Sequence, residues 1–368
     1  MGAREEDAVS TTQTPPALAP GAEILPEELG LTQRNHSFHL EGLRYDVTPI
    51  GMHYLLIHFD IPEADETTWR VSVGGLVRDP LELSIADLRA RPAVTMPVTM
   101  ECAGNGRARL TPRPVSQPWL NEAIGTAEWT GTPLAPILEE AGLEGGAVEV
   151  VFAGADRGIQ GGVEQEYERS LTIAEATRDE VLLAYEVNGS PLPPQHGYPV
   201  RLVVPGWYGM TSVKWLRRIT AVAEAFDGFQ MDAYRIREDP DEPGVPVTRM
   251  QPRALMIPPG IPDFLTRERL VDAGSIELLG RAWSGWGPVE RVEASVDGGP
   301  WAATELGTAP GPHAWAPWRW RWDAEPGEHV LACRATDAEG NTQPDEQRWN
   351  HHGFQNNAVQ RVRVRVRA

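Results

Sequence analysis

The chain has 368 residues, 41% of them hydrophobic, which is enough for two domains that each bury a core. Its 33 Lys and Arg against 52 Asp and Glu give a net charge of −19, which argues against nucleic acid and anionic membranes as partners. Two cysteines are too few for a disulfide framework, and no apolar run approaches membrane-spanning length. Without an apolar signal segment or paired arginines near the N-terminus, we expect a reducing, cytoplasmic location. Periplasmic export on a signal-bearing partner stays open.

The domain organisation follows from shifts in composition along the chain. Residues 1–30 predict a flexible acidic tail, because prolines at positions 15, 16 and 26 interrupt any helix. Acidic residues, proline and glycine cluster again within 235–262, which predicts a boundary between two domains. We therefore expect one domain at 31–245 and a second at 246–368.

Residues 31–245 predict an α+β domain of short helices and strands. Helices are expected to be capped by Ser84, Thr132 and Thr172, and Gly142 is expected to end the second of them. No βαβ repeat and no GxGxxG motif occur, so a dinucleotide-binding fold is not indicated.

Residues 246–368 predict an all-β domain, because short apolar runs recur there at the spacing typical of a sandwich. The strict alternation of arginine and valine over 361–367 predicts a strand with one charged face and one buried face. No catalytic cluster is visible in this domain, so a structural or interfacial role is expected.

The sequence MECAGNGR at 100–107 follows an apolar run that predicts a buried strand. Gly104 and Gly106 let the backbone turn sharply and leave room for a large ligand. Arg107 is expected to favour the thiolate of Cys102, which is the form that binds metal. A buried structural cysteine is the alternative interpretation of Cys102.

Seven short segments together carry a resemblance to a known family: CAGNGR at 102–107, GTAEWTG at 125–131, LAYEVNG at 183–189, HGYPVR at 196–201, VKWL at 213–216, CRATD at 333–337 and QP at 343–344. In this order they resemble the sulfite oxidase family of molybdenum–pterin enzymes over residues 45–368. The resemblance implies an α+β molybdopterin-binding domain followed by an immunoglobulin-like sandwich through which a homodimer forms. We expect no counterpart of the haem domain of the animal enzymes, so electrons would leave to a separate carrier.

The resemblance also implies a molybdenum–molybdopterin cofactor with Cys102 as the protein ligand of the metal. A soft sulfur ligand suits this metal and helps to set its potential. Cations and hydroxyls are the groups that the cofactor's phosphate requires. The residues implied as cofactor contacts are Tyr54, Leu56, His58, Asp156, His196, Arg201, Ser212, Val213 and Lys214.

On the substrate side, the resemblance implies that Arg107 steadies an oxyanion beside the metal. Tyr234 would hydrogen-bond the oxo group of the metal or the substrate, and Trp119 would line the pocket. His352 would occupy the position where the animal and plant enzymes carry an arginine. A histidine there would bind a doubly charged anion more weakly.

Besides His352, a second position differs from the family pattern, namely that of an arginine which the family uses to bind its substrate. Counting back from Trp69-Arg70 places Leu56 at that position, with His58 retained. The sequence Arg34-Asn35-His36 is the alternative match, but it requires a large insertion. The sequence favours the alignment on Leu56.

From this resemblance we expect an oxidoreductase that transfers an oxo group to sulfite or a similar small oxo-acceptor, with electrons passing to a separate carrier such as a cytochrome. One alternative is reduction of nitrate or of an S- or N-oxide by the same metal. A non-enzymatic alternative is a dimeric interaction protein that retains the cofactor without turnover.

Overall fold

The computed structural model describes residues 24–368, so residues 1–23 of the predicted tail lie outside the described part. Residues Pro26–Thr32 form a helix, α1, with Pro26 in its first turn. The predicted interruption at Pro26 is wrong because a proline at a helix start lacks only an N–H that has no partner inside the helix. The buried side chain of Glu28 pairs with Arg113, which fixes α1 to the body of the protein.

All α-helices of the described chain are short. They are α1 (Pro26–Thr32), α2 (Ile85–Arg89), α3 (Ala135–Ala141), α4 (Ile173–Ala176) and α5 (Phe229–Ala233). Single 3-10 turns lie at Leu40–Arg44, Arg107–Arg109, Pro194–His196 and Gly209–Thr211. The α+β prediction thus overestimated the helices, since strands dominate the described chain.

Two of the three predicted helix caps are confirmed. The Ser84 hydroxyl accepts from the Asp87 amide at 3.1 Å, and Thr172 accepts from the Glu175 amide at 3.3 Å. Thr132 instead lies in a strand that runs to Pro133, and α3 begins after Leu134. Gly142 ends α3 with φ of 69°, a left-handed conformation that favours glycine.

The strands of the first part of the chain are β1 (Arg70–Gly75), β2 (Leu81–Ser84), β3 (Val94–Glu101), β4 (Ile124–Pro133), β5 (Glu149–Gln160), β6 (Val163–Thr172), β7 (Leu182–Val187), β8 (Ser190–Pro191), β9 (Arg201–Val203), β10 (Leu216–Val222), β11 (Arg235–Ile236) and β12 (Val245–Pro246). The strands that follow are β13 (Arg253–Met256), β14 (Ile261–Pro262), β15 (Arg269–Asp272), β16 (Gly274–Trp283), β17 (Val289–Val296), β18 (Ala302–Ala303), β19 (Glu305–Leu306), β20 (Ala316–Ala324), β21 (Gly327–Asp337) and β22 (Gln360–Arg367).

Two sheets organise residues 70–222. One has the order β2-β1-β10-β5-β6, and the other has the order β3-β4-β7-β8 with β9 also paired to β7. Only β1 and β10 pair in parallel among these neighbours. A large apolar cluster that includes Val71, Phe152 and Leu202 packs the first sheet, α2 and α3 together. Met100 near the end of β3, Arg201 at the start of β9 and Lys214 just before β10 line the cavity described below.

Two further sheets form a sandwich from residues 253–367. Their orders are β13-β16-β20-β19 and β14-β15-β22-β21-β17-β18, and an apolar cluster with Trp318, Leu331 and Val364 lies between them. Along β22 the valines are buried and the arginines are exposed, which confirms the alternation predicted for 361–367.

The sandwich contacts the β3–β4 sheet at one buried ion pair. Arg253 Nε on β13 lies 2.8 Å from Glu101 Oε1 at the end of β3, with both side chains 1% exposed. The Trp283 indole N–H donates to the other oxygen of Glu101 at 2.9 Å, and Asn105 Nδ2 donates to Oε1 at 3.0 Å. Glu101 therefore has all its charge balanced inside the protein.

We predict that removing only one member of this pair destabilises the protein strongly. Glu101→Leu leaves Arg253 buried without a counter-charge, and we expect a loss of about 3–5 kcal/mol in the free energy of unfolding. The double variant Glu101→Leu/Arg253→Met should recover most of that loss. Chemical denaturation followed by tryptophan fluorescence measures both effects.

The matched control is the exposed pair Arg319–Glu305, joined at 2.6 Å with side chains 57% and 65% exposed. Arg319→Met should leave the free energy of unfolding nearly unchanged, because solvent screens an exposed ion pair. Equal losses for Glu101→Leu and Arg319→Met would contradict the importance given to burial of the Glu101 pair.

Candidate cofactor and substrate site

The Cys102 loop begins where β3 ends. The Cys102 amide donates to the Ala123 carbonyl at 2.9 Å, and the Ala123 amide donates to Asn105 Oδ1 at 3.1 Å. These two bonds tie the loop to the segment before β4. The thiol lies half-buried, and the rest of the loop from Ala103 to Arg107 is buried.

The pKa of the Cys102 thiol is raised, because burial disfavours the thiolate more than Arg107 favours it. Arg107 thus favours the thiolate as predicted, but in the cofactor-free protein burial outweighs this effect. A metal would have to displace the proton on binding. The Trp119 indole N–H lies close enough to favour the thiolate, although it makes no regular hydrogen bond.

An inner cavity of about 670 Å³, part of it open to solvent, lies against Cys102. The predicted contact residues found on its wall are Cys102, Tyr54, Leu56, His58, Asp156, His196, Arg201, Ser212, Lys214 and Tyr234. Gly209 is also part of the wall, and a Cβ at that position would approach the Tyr54 hydroxyl at 2.1 Å. Glycine at position 209 therefore lets the backbone pack directly against the Tyr54 hydroxyl.

Two cations on this wall have only neutral hydrogen-bond acceptors. Arg201 donates to the carbonyls of His196 at 3.1 Å and Ser212 at 3.0 Å, and its guanidinium lies 4.7 Å from the Trp129 ring centre. Lys214 Nζ donates to the carbonyls of Leu56 at 2.8 Å and Gln195 at 3.0 Å. Burial lowers the pKa of Arg201 to about 10 and that of Lys214 to about 7.

The inner cavity therefore fits a large group with an anionic part. Asp156 is the acid nearest to these cations, and burial raises its pKa to about 7, so it balances little of their charge. His196 is held neutral, since burial and the neighbouring cations lower its pKa to about 2. His53 Nε2 is buried on the same wall without a hydrogen-bond partner. Anionic oxygens and a polar ring system would satisfy these groups.

A second, outer cavity opens from the first. Cys102, Leu56, His58 and Tyr234 line both cavities, so they stand at the junction. The outer wall adds, among others, Arg34, Arg107, Gln117, His351 and His352. A group held in the inner cavity at Cys102 would thus be reached from the outer one.

Arg107 lies buried in the outer wall. Its Nε donates to the His352 carbonyl at 2.6 Å, its Nη1 donates to the Gln117 carbonyl at 3.2 Å, and its guanidinium lies 5.2 Å from the Phe354 ring centre. A Cβ on Gly104 would lie 2.6 Å from the guanidinium, so glycine is required beneath it. Burial lowers the pKa of His352 to about 4, which leaves its imidazole neutral at pH 7.

His58 is oriented by a group of glutamines. Its Nε2 lies 2.8 Å from Gln160 Oε1, which also accepts from Gln230 at 3.0 Å. Because Gln160 Oε1 is an acceptor, His58 Nε2 carries the proton and Nδ1 is left to accept.

Two predicted site residues line neither cavity. Val213 is buried in the core, and its carbonyl accepts from the Leu202 amide at 2.8 Å. Trp119 is buried behind Cys102 in the apolar cluster with Ala123 and Trp129, so it is not a pocket wall. His53, Tyr167 and Gln160 line the cavities and were not predicted. His53 could have been predicted from the sequence, because it lies three residues before Leu56 in the segment already matched to the family. No sequence feature singled out Tyr167 or Gln160.

Among residues 24–368, no group of three or more His, Cys, Asp and Glu side chains is arranged to hold a metal ion. In the same residues, no helix is long and apolar enough to cross a membrane.

Comparisons with known proteins agree with this geometry. Residues 58–230 match the family model of the oxidoreductase molybdopterin binding domain, and residues 250–367 match that of the Mo-co oxidoreductase dimerisation domain. Mouse mitochondrial sulfite oxidase is 36% identical over 342 residues, and nitrate reductase [NADH] 1 of Oryza sativa subsp. japonica is 32% identical over 352 residues. Each match covers 87% of this chain but only 62% and 38%, respectively, of those relatives.

Among solved structures, the sulfane dehydrogenase SoxCD from Paracoccus pantotrophus matches over nearly its whole length. The TM-score is 0.77 at 25% identity, covering 97% of this chain and 96% of that one. With both family models matched in order, the chain belongs to the sulfite oxidase family of molybdopterin-dependent oxidoreductases.

Proposed function

We propose that this chain binds molybdenum–molybdopterin and oxidises sulfite or a similar small oxo-acceptor, with electrons passing to a separate carrier. The observation that carries the proposal is the position of Cys102. Its thiol stands where an inner cavity with uncompensated cations meets an outer cavity lined by arginine and histidine. Soft sulfur, phosphate-binding cations and an anion-binding opening are the three requirements of such a site.

When bound, the cofactor would supply oxo transfer and the associated electron transfer. Cys102 would lose its proton and hold the metal. Arg201 and Lys214 would neutralise the anionic tail, which removes the penalty of burying their charges. His58 would accept through Nδ1. His53 would accept through Nε2, because burial keeps its ring neutral and its Nδ1 donates to the Tyr54 carbonyl.

On the substrate side, Arg107 would contribute fixed positive charge beside Cys102. Its two hydrogen bonds to carbonyls and its stacking on Phe354 hold the guanidinium in place before substrate arrives. Burial raises the pKa of Tyr234 to about 12, so its hydroxyl stays protonated and can donate to an oxyanion. Preorganised donors of this kind lower the barrier where negative charge develops.

We also propose that the domain boundary lies between residues 245 and 246, and that the sandwich is of the immunoglobulin-like kind and joins two copies of the chain. The two packed sheets and the matched dimerisation family support this proposal. Sedimentation equilibrium of the full chain would test the homodimer, and a monomer at micromolar concentration would contradict it.

We predict that Cys102→Ser abolishes sulfite turnover while the protein stays folded. Loss of the thiolate ligand should lower sulfite-dependent reduction of ferricyanide at least about 100-fold. Elemental analysis should find molybdenum in the parent protein. The control is Cys333→Ala, because Cys333 is fully buried in the sandwich core and should not affect turnover per bound metal.

The same assay separates the alternatives. Unchanged turnover in Cys102→Ser would remove that thiol from the reaction. Molybdenum with nitrate reduction but no sulfite oxidation would favour a reductase. Bound pterin without turnover of any donor or acceptor would leave an interaction protein.

A further prediction concerns Lys214 in the cofactor-free protein. Its pKa is about 7 when folded against 10.5 as its ordinary value, so the unfolded chain binds more protons between these limits. Stability should therefore rise with pH from about 7 to about 10. Asp156 titrates with the opposite sign but below pH 7, so the upper window reports on Lys214.

Thermal unfolding across this pH range measures the effect. Lys214→Met should flatten the rise, and loading with cofactor should also flatten it, because a phosphate raises the pKa of the lysine again. An identical rise in the parent and Lys214→Met proteins would contradict the assignment.

A further inference from the structure

The segment that contains Arg34 runs directly beside the segment that contains Leu56. The His36 amide donates to the Leu55 carbonyl at 3.1 Å, and the Leu55 amide donates back to the His36 carbonyl at 2.9 Å. The Ile57 amide donates to Asn35 Oδ1 at 2.7 Å. Two stretches that compete in the sequence for one family position are therefore neighbours in space.

Asn35 also links this segment to the wall that holds Arg107. Its Nδ2 donates to Gln117 Oε1 at 3.0 Å, and the Gln117 carbonyl accepts from Arg107 Nη1 at 3.2 Å. On the other side, α1 leads into Arg34 and is held by the ion pair of Glu28 with Arg113. The backbone on both sides of Arg34 is thus fixed relative to Arg107.

The side chain of Arg34 lines the outer cavity together with Leu56, His58 and Arg107. It lies near enough to His58 to lower the pKa of that imidazole. It is exposed, and among residues 24–368 it makes no hydrogen bond or ion pair. A guanidinium that faces a cavity with its donors free is suited to a carboxylate-like or sulfate-like anion.

The other groups of the outer cavity supply less charge. His352 is neutral at pH 7, and Arg113 is paired with Glu28. Arg107 already uses Nε and Nη1 on carbonyls, so only its remaining donors can face an anion. A doubly charged oxyanion in this cavity therefore lacks a second strong donor unless Arg34 provides it.

We propose that Arg34 is a substrate-binding residue that supplies, from a different segment of the chain, the guanidinium that Leu56 lacks. The ligand class is a small tetrahedral or pyramidal oxyanion such as sulfate or sulfite. This inference rests on the proposed function of the site. Leu56 keeps only its backbone role, since its carbonyl accepts from Lys214.

The test measures inorganic sulfate binding to the cofactor-loaded protein by isothermal titration calorimetry at low ionic strength. Arg34→Leu should weaken sulfate binding about tenfold, because one charge-assisted interaction at an exposed site is lost. Arg34→Lys should retain part of the affinity. Arg44→Leu is the matched control, because Arg44 is an exposed arginine ten residues along that lies outside both cavities.

The double variant Arg34→Leu/Leu56→Arg returns the charge from the neighbouring position and should restore sulfate binding to within about threefold of the parent. Sulfite KM should follow the sulfate affinity across the series while kcat changes little. Molybdenum content, measured for each variant, shows that cofactor loading is unaffected.

Three results would overturn the inference: no measurable sulfate binding by the parent, unchanged affinity in Arg34→Leu, or a folded double variant that fails to recover. Failure of the proposed function is a separate outcome. If the protein binds sulfate through Arg34 but oxidises no sulfite, the proposed anion site is supported and the proposed oxidase function is contradicted. If Arg34→Leu leaves sulfite turnover and its KM unchanged, the proposed oxidase function is supported and the proposed role of Arg34 is contradicted.

Discussion

The buried carboxylate of Glu101 connects the fold to the site. It is the last residue of β3, it directly precedes Cys102, and it faces Arg253 of the sandwich at 2.8 Å. It also accepts hydrogen bonds from Asn105 in the Cys102 loop and from Trp283 on β16. Removing one partner of such a buried ion pair destabilises the fold, because the other charge is left buried without a counter-charge. The sandwich is therefore part of the support of the Cys102 loop as well as a candidate interface between copies.

The distribution of charge around Cys102 is the reverse of that of the whole chain. The protein carries a formal charge of −19, yet Arg201, Lys214 and Arg107 line the two cavities that meet at the Cys102 thiol. Of the acids near them, Glu101 is already paired with Arg253, and burial raises the pKa of Asp156 to about 7. Burial lowers the pKa of each of these three cations, because desolvation disfavours their charged forms. A site built from buried cations with neutral acceptors favours an anionic ligand over a neutral one.

Features determined by neighbouring residues were predictable from the sequence. The caps at Ser84 and Thr172 and the alternation along β22 each depend on residues within one turn or one strand. The cap predicted at Thr132 failed because pairing of β4 with β7 places that residue opposite Leu183. Tertiary strand pairing outweighed a local helix signal.

The site shows the same division between local and distant causes. The Cys102 loop and most cavity residues were found because they lie in short segments that resemble the family. The raised pKa of Cys102 could not be predicted, because it depends on how deeply the folded chain buries the thiol. The pairing of His36 with Leu55 was also invisible, since two isolated bonds across nineteen residues leave no periodic pattern.

The arginines of the two cavities differ in exposure. Arg201 on the inner wall and Arg107 on the outer wall are both buried, whereas Arg34 on the outer wall is exposed. Salt screens exposed charges more than buried ones. Ionic strength should thus act mainly on substrate binding and little on retention of the cofactor. An exposed arginine can be supplied by any segment that reaches the cavity wall, whereas a buried one needs acceptors built around it. This difference explains why a leucine is tolerated at position 56 while the buried arginine at 201 has two carbonyls dedicated to it.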